Sequence, residues 1–337
     1  MVYPIVRPLL FKLDPETVHR WTLALLRAVG GFAPARALVS ALYAAPPKPV
    51  VAFGLMFRNP VGLAAGYDKD GLGWCGLAAL GFGHIEVGTI TVRPQPGNPK
   101  PRVFRLPEDD GLINRLGFPG LGMEIVAAEM SRRCPSGVML GANLGKNKDT
   151  PNEEAAQDYV TLMERFAPLA DYLVVNVSSP NTVGLRRLQA RDALETLLAH
   201  LARHRAEYLP DSHIPVLVKL APDLDEAELD DALDVILRTG MDGVIATNTT
   251  LARENLRSPR AGETGGLSGA PLTEMSYAML QSIVKRLDGA LPVVSVGGIM
   301  SAEDAKMRLD AGAALVQVYT GLIYRGPGFV RDIVRAC

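Results

Sequence analysis

Lys219 stands inside the run Val216-Leu217-Val218-Lys219-Leu220-Ala221, an ammonium group among apolar neighbours. A lysine in a buried strand needs a partner for its charge. Placed at a strand end, it is suited to binding an anion, forming a Schiff base or stabilising an anionic cofactor. Other short apolar runs also end in polar groups. Thr89 follows Gly88, and Asn143 follows Ala142. Asn176 leads into Ser178, Ser179, Asn181 and Thr182, and Ala246 leads into Thr247, Asn248, Thr249 and Thr250. A further run passes through Ala64, Ala65 and Gly66 to Tyr67, Asp68 and Lys69. Carboxamides both donate and accept hydrogen bonds, as the edges of a planar carboxamide, imide or flavin ligand require. Gly297-Gly298 and Tyr319-Thr320-Gly321 add a phosphate signal, because glycine turns expose backbone N–H groups. Taken singly, Lys219 is hard to dismiss, but a buried Asn is often only a satisfied structural residue, and the glycine pairs are as readily ordinary turns.

What brings them together is the pattern of elements. From about residue 50 the chain alternates short apolar runs with amphipathic stretches. The runs are Val61 to Ala65, His84 to Gly88, Val138 to Asn143, Tyr172 to Val177, Val216 to Leu220, Gly243 to Thr247, Val293 to Val296 and Leu315 to Tyr319. Between them lie Glu153 to Arg165, Asp192 to Arg205, Glu226 to Arg238 and Ser301 to Ala311. Buried β-branched runs alternating with helices predict a parallel sheet, and eight such units predict a (β/α)8 barrel. A doubly wound open sheet is the alternative, but the GxGxxG turn expected after its first strand is missing. In a barrel, the polar groups above all fall at the C-terminal strand ends, where such folds place their chemistry.

Residues 1–45 read differently, as a small helical segment preceding a barrel domain over 46–337. Asp14-Pro15-Glu16 is an N-cap, a first-turn proline and an acidic first turn. The helix carries Val18, Trp21, Leu25 and Ala28 at helical spacing, and Gly30-Gly31 stops it. Pro34 opens a second helix, and Pro46, Pro47 and Pro49 form a stiff linker. So small a unit must dock on the barrel, on a partner or on a membrane surface. Arg7, Lys12, Arg20, Arg27 and Arg36 interleave with Leu9, Leu10, Phe11 and Trp21, which suits a segment lying on anionic lipid.

Composition narrows the field. Of 337 residues, 48% are hydrophobic and 21% charged, with a formal net charge of -1. No basic excess of the kind that tracks a phosphate backbone is present, so nucleic acid is not an expected partner. Cys75, Cys134 and Cys337 are odd in number and in no metal-ligand spacing, so neither a metal nor a disulfide is expected. No window of eighteen uninterrupted apolar residues offers a bilayer span, and no secretory signal is evident.

Ordered blocks across nearly the whole chain carry a resemblance. They are the leading Tyr3 to Pro15, AAGYDKDG (64–71), GFGHIEVGTITVRPQPGNPKPRVFRL (81–106), INRLGF (113–118), GANLGKNKDT (141–150), NVSSPNTVGLR (176–186), VKLAPDL (218–224), DGVIATNTT (242–250), GGLSG (265–269), SVGGI (295–299) and LVQVYTG (315–321). In these the chain resembles the class 2, quinone-dependent dihydroorotate dehydrogenases of pyrimidine synthesis.

The resemblance implies bound FMN, held by Ala65, Gly66, Thr89, Asn143, Asn176, Lys219, Thr247, Gly269, Gly298, Tyr319 and Thr320. It implies dihydroorotate contacts at Lys69, Asn114, Arg115, Leu116, Gly117, Phe118, Asn176, Asn181, Asn248 and Thr249. Lys69 would pair with the substrate carboxylate, and Lys219 would offset charge on the reduced ring. Ser179 would be the catalytic base, aided by Thr182, with Val183 to Arg187 in a lid. Cytosolic class 1 relatives use cysteine as base and lack the N-terminal helices, so Ser179 and residues 1–45 both point to class 2. Those helices would form a quinone tunnel and membrane contact, with His19 and Arg102 near the quinone head group, although a helix-surface histidine would explain His19 as well. Tyr67 stands where relatives often carry another large apolar residue, a change that should be tolerated. The implied partners are dihydroorotate or orotate, ubiquinone or menaquinone, and lipid. The expected state is a monomer on the cytoplasmic face of a bacterial inner membrane. The competing readings are an FMN barrel oxidoreductase with another substrate or a soluble electron acceptor, a generic phosphate-binding isomerase, and a catalytically dead membrane-binding barrel.

Overall fold

The computed structural model describes residues 3–132, 134, 137–209 and 214–337. The eight apolar runs form β1 (Val61–Leu63), β2 (His84–Ile90), β3 (Met139–Leu144), β4 (Tyr172–Asn176), β5 (Val216–Leu220), β6 (Gly243–Ala246), β7 (Val293–Val296) and β8 (Leu315–Val318). They pair in parallel, in chain order, and close on themselves as a barrel. Apart from Met139, every residue in these strands is buried. Both faces of each strand are covered, by helices outside and by packed side chains inside. That double burial is why the strands read as continuous apolar runs rather than alternating ones.

The expected helices are present as Ala155–Phe166, Arg191–Tyr208, Glu226–Arg238 and Ala302–Asp310. Two of them start with reciprocal caps. Asp225 accepts from Glu228 N at 2.9 Å while Glu228 accepts from Asp225 N at 3.0 Å. Ser301 and Asp304 repeat the arrangement at 3.0 and 2.8 Å.

Two small antiparallel sheets were not foreseen. A hairpin of Val50–Ala52 and Leu55–Phe57 drives Phe57 against His84 and Tyr172, which begin their strands, and so plugs that end of the barrel. A three-stranded sheet of Val103–Leu106, Gly111–Asn114 and Gly266–Gly269 lies at the other end and carries Asn114.

The leading segment forms three helices, α1 (Tyr3–Phe11), α2 (Pro15–Gly31) and α3 (Ala33–Tyr43). The Asp14 side chain caps α2 by accepting from Thr17 N at 2.8 Å. Of the three surfaces left open for the apolar stripe, the barrel is not the one it meets: Trp21 is 58% and Leu25 65% exposed. Docking runs through the opposite face, at Leu26 and Gly30. A Cβ at Gly30 would lie 2.7 Å from Cys75 Cβ, and one at Gly76 would strike the carbonyl of Leu26. Arg27 adds an ion pair with Glu129 at 2.5 Å, and Arg7 Nη1 donates to Tyr324 O at 3.0 Å. Ile5, Leu9, Phe32, Leu38 and Leu42 are also exposed, so each of the three helices is apolar on its outer side. Among the described residues no single helix is long and apolar enough to cross a membrane; α2 and α3 pass that test only as a pair, bent by 109°.

The cysteine expectation is overturned. Cys75 and Cys134 are joined as a disulfide, their Cα atoms 5.7 Å apart. Spacing along the chain could not reveal it, because the barrel brings the short helix Trp74–Ala78 beside the segment that follows the helix Met123–Met130.

Candidate functional site

A cavity opens at the C-terminal ends of the barrel strands, where folds of this kind place their chemistry. It gathers most residues singled out from the sequence. Ala65, Gly66, Thr89, Asn176, Lys219, Thr247, Gly269, Gly298, Tyr319 and Thr320 line it. So do Lys69, Asn114, Leu116, Gly117, Phe118, Ser179, Asn181, Asn248 and Thr249.

Three expected residues stand back from the wall. The Arg115 side chain, just past the strand Gly111–Asn114, turns outward to Glu263 at 2.6 Å and over the Phe104 ring. Asn143 sits one layer below, receiving a hydrogen bond from Thr89 Oγ1 at 2.6 Å and one from Asn176 Nδ2 at 3.2 Å. Thr182 is buried, and its Oγ1 has no hydrogen-bond partner among the described residues.

Beneath the cavity lies a polar network rooted in a residue the sequence reading missed. Glu86, fully buried at the centre of β2, accepts from Asn143 Nδ2 and from Gln317 Nε2, both at 2.7 Å. Its other neighbour is Lys219, whose Nζ lies 3.8 Å from Oε1. This is the partner that Lys219 required. A carboxylate only accepts, so Glu86 fixes which way the Asn143 and Gln317 amides point. From Asn143 the chain of bonds continues to Asn176, whose Oδ1 receives Ser178 Oγ at 2.9 Å; Ser178 in turn receives Asn248 Nδ2 at 2.9 Å. Asn176 and Lys219 are direct neighbours across β4 and β5, which sets the amide and the ammonium side by side. Glu86 was inconspicuous because its partners come from distant strands.

The loops are tied as well. Arg186 donates to Ser178 O at 3.0 Å and to Thr249 O at 2.8 Å, and pairs with Asp223 at 2.7 Å. Asp223 also receives Thr250 Oγ1 at 2.5 Å. The Val183 to Arg187 segment is therefore pinned to two strand-end loops, while Val183 itself is 87% exposed. Ser179 Oγ accepts from Asn181 N at 3.3 Å, and Asn181 Nδ2 reaches Asn114 Oδ1 at 3.1 Å. Lys69 donates to Gly66 O at 2.6 Å. Burial holds its ammonium down to about 8, against the opposing pull of Asp70.

A second, mostly apolar cavity runs between the barrel and the N-terminal helices. It meets the first at Lys69, Leu112, Leu116 and Tyr319, which line both. His19 lies on it and packs edge-on against Tyr67 at 5.1 Å; Tyr67 packs likewise on Tyr319 at 5.6 Å. Burial, then the Lys69 charge, pushes the His19 imidazole down to about 4, so it is neutral near pH 7. Arg102 is not on this wall. Its guanidinium is taken up by Glu16 at 3.1 Å, Pro96 O at 2.6 Å and Asn98 O at 2.9 Å, and Arg105 lines the cavity instead.

A closed parallel barrel with a glycine- and amide-walled cavity at its strand ends defines a barrel enzyme that binds a flat, hydrogen-bonding ligand. A model of the family described as dihydroorotate dehydrogenase matches residues 49–336. The chain is 51% identical over 341 residues to a protein of Methylobacillus flagellatus called dihydroorotate dehydrogenase (quinone), covering 99% of both. It is 53% identical to the protein of that name from Anaeromyxobacter sp. strain K, covering 98% of this chain and 90% of that one. Among solved structures, DHODH from Eimeria tenella in complex with ferulenol superposes with a TM-score of 0.87 at 38% identity, over 97% of this chain and 93% of that chain. The chain belongs to the dihydroorotate dehydrogenase family.

Proposed function

We propose that this chain oxidises (S)-dihydroorotate to orotate in pyrimidine synthesis and passes the electrons, by way of FMN, to ubiquinone or menaquinone. The observation that carries the reading is the meeting of two cavities of opposite character at Lys69, Leu112, Leu116 and Tyr319. One is built for a polar planar ligand and the other for a greasy one. The first also fits FMN. Gly269 and Gly298 hold φ values of +94° and +68°, and the backbone of Thr273 occupies the space a Gly298 side chain would need. That leaves backbone, not side chains, facing a phosphate at the Gly298 and Thr320 walls. When bound, FMN supplies the electron acceptor for dihydroorotate and the electron donor for quinone.

The residues divide the remaining work. Lys69 pairs with the substrate carboxylate. Asn114, Asn176, Asn181 and Asn248 hold the pyrimidine edges and so fix its ring in one orientation. Lys219, kept in place by Glu86, offsets negative charge at the ring it faces. Ser179 takes the proton that leaves the substrate carbon, and Thr182, whose buried hydroxyl has no partner among the described residues, holds a water that passes the proton on. Residues 1–45 act as the quinone and membrane segment on the barrel of 46–337, with His19 facing the quinone, and the protein works as a monomer on the cytoplasmic face of the bacterial inner membrane.

Steady-state turnover with different electron acceptors tests the assignment: a short-chain quinone should support it, whereas fumarate and NAD should not. Turnover with fumarate or NAD but not quinone would place the chain in another class.

Two further outcomes are expected here. Lys69 is charged below about pH 8 and neutral above it. Orotate affinity of the oxidised protein should therefore be level below that pH and fall by roughly tenfold per unit well above it. A flat profile to pH 10 would remove Lys69 as the carboxylate's partner. Replacing exposed Trp21 and Leu25 with glutamate should weaken binding to anionic vesicles and turnover with a long-chain quinone by about tenfold or more. Reduction by dihydroorotate should be unchanged; equal vesicle binding by both proteins would show that the outer side of α2 does not touch lipid.

A further inference from the structure

Arg308 is the largest fully buried side chain in the molecule's described part, and no carboxylate lies within ion-pair distance of it there. It projects from the helix Ala302–Asp310. Among the described residues its guanidinium donates only to neutral acceptors: Ser295 Oγ at 3.2 Å, Thr273 O at 3.1 Å and Ser276 Oγ at 2.9 Å. The Nε has no hydrogen-bond partner, and the Tyr277 ring lies 5.9 Å away. Asp304, the carboxylate with the largest influence on it, is already committed to capping its helix through Met300 N and Ser301 N. Burial pushes the guanidinium down to about 10, so it still carries its charge at neutral pH. A buried cation without a counter-ion is costly, and its retention calls for a compensating anion nearby.

The neighbours of Arg308 say where that anion belongs. Ser276 Oγ, which Arg308 contacts, shares its one proton between Leu272 O at 2.8 Å and Gly297 O at 2.9 Å. Thr273, whose carbonyl Arg308 holds, donates through Oγ1 to Gly298 O at 2.7 Å. Gly297, Gly298 and Leu272 line the first cavity, so the guanidinium sits one residue behind that wall. It also engages carbonyl and hydroxyl oxygens that would otherwise add negative potential there.

We propose that Arg308 is a positioning residue for the cofactor's phosphate: its buried charge makes the Gly297–Gly298 wall selective for phosphorylated over unphosphorylated flavin. The inference rests on the FMN reading above. A merely structural arginine would support both flavins equally.

The test uses the full chain stripped of flavin and titrated with FMN and with riboflavin, following quenching of flavin fluorescence. R308Q should lose about tenfold of the wild-type preference for FMN, with riboflavin affinity little changed. R308K, which keeps the charge, should keep the preference. Equal losses for both flavins in R308Q, or an unchanged ratio, would overturn the inference while leaving the FMN reading intact. A wild-type chain that binds neither flavin would overturn both. The wild type supplies a measurement that needs no variant. A buried charge is poorly screened, so its preference for FMN should change little from low salt to roughly 0.5 M. A steep loss would place the phosphate's partner among exposed basic side chains instead.

Discussion

Replacing Ser179 with alanine is expected to slow the bleaching of the flavin band by dihydroorotate by about 10²- to 10⁴-fold, the usual worth of a positioned acid or base. Orotate binding should change by less than about threefold, because the proposed reading assigns the ligand's edges to the carboxamides and Lys69 rather than to this hydroxyl. A serine is a weak base unless something takes its proton onward. The proposed relay is Thr182: Ser179 lines the cavity, and the Thr182 hydroxyl is buried with no partner among the described residues. Rapid mixing of the two proteins with dihydroorotate measures the effect. Comparable rates would remove Ser179 as the base.

The second large effect is expected at Lys219. Changing it to methionine leaves the Glu86 carboxylate buried and without its cation, although Asn143 and Gln317 still donate to it. Breaking a buried pair from one side costs about 3–5 kcal/mol. Denaturant unfolding should therefore show a loss of that order, and turnover should fall by about a hundredfold or more if Lys219 has the charge-offsetting role proposed for it. Adding Glu86→Gln to Lys219→Met removes the stranded carboxylate and should restore most of the stability without restoring turnover. A double variant as unstable as the single one would show that the pair is not coupled.

These residues were legible to different degrees, for physical reasons. The barrel strands could be placed to within about two residues because parallel strands covered on both faces are written as apolar, β-branched runs. The helices from Ala155, Arg191, Glu226 and Ala302 could be read as amphipathic stretches between the strands, and the capping boxes of two appeared only in the structure. The hairpin at Val50–Phe57 and the sheet that carries Asn114 were not visible. Their strands are three or four residues long, and in the sheet Asn114 pairs with Gly266, far along the chain. A polar residue at a strand end could be read, but its partner could not. Lys219 declared a need for a negative charge without saying that Glu86 would meet it. Likewise, α2 was apparent as an apolar helix, yet only the packing of Leu26 and Gly30 against the barrel shows that Trp21 and Leu25 face outward. The Cys75–Cys134 disulfide belongs with these, a contact made by topology rather than spacing.

The central claim is that one chain joins a polar site for dihydroorotate to an apolar site for quinone. The most direct measurement is an anaerobic absorbance titration of the purified protein, first with dihydroorotate and then with a short-chain quinone. The account predicts a flavin band that dihydroorotate bleaches and quinone restores. A band that dihydroorotate leaves untouched would contradict the substrate, and one that quinone fails to restore would contradict the electron acceptor.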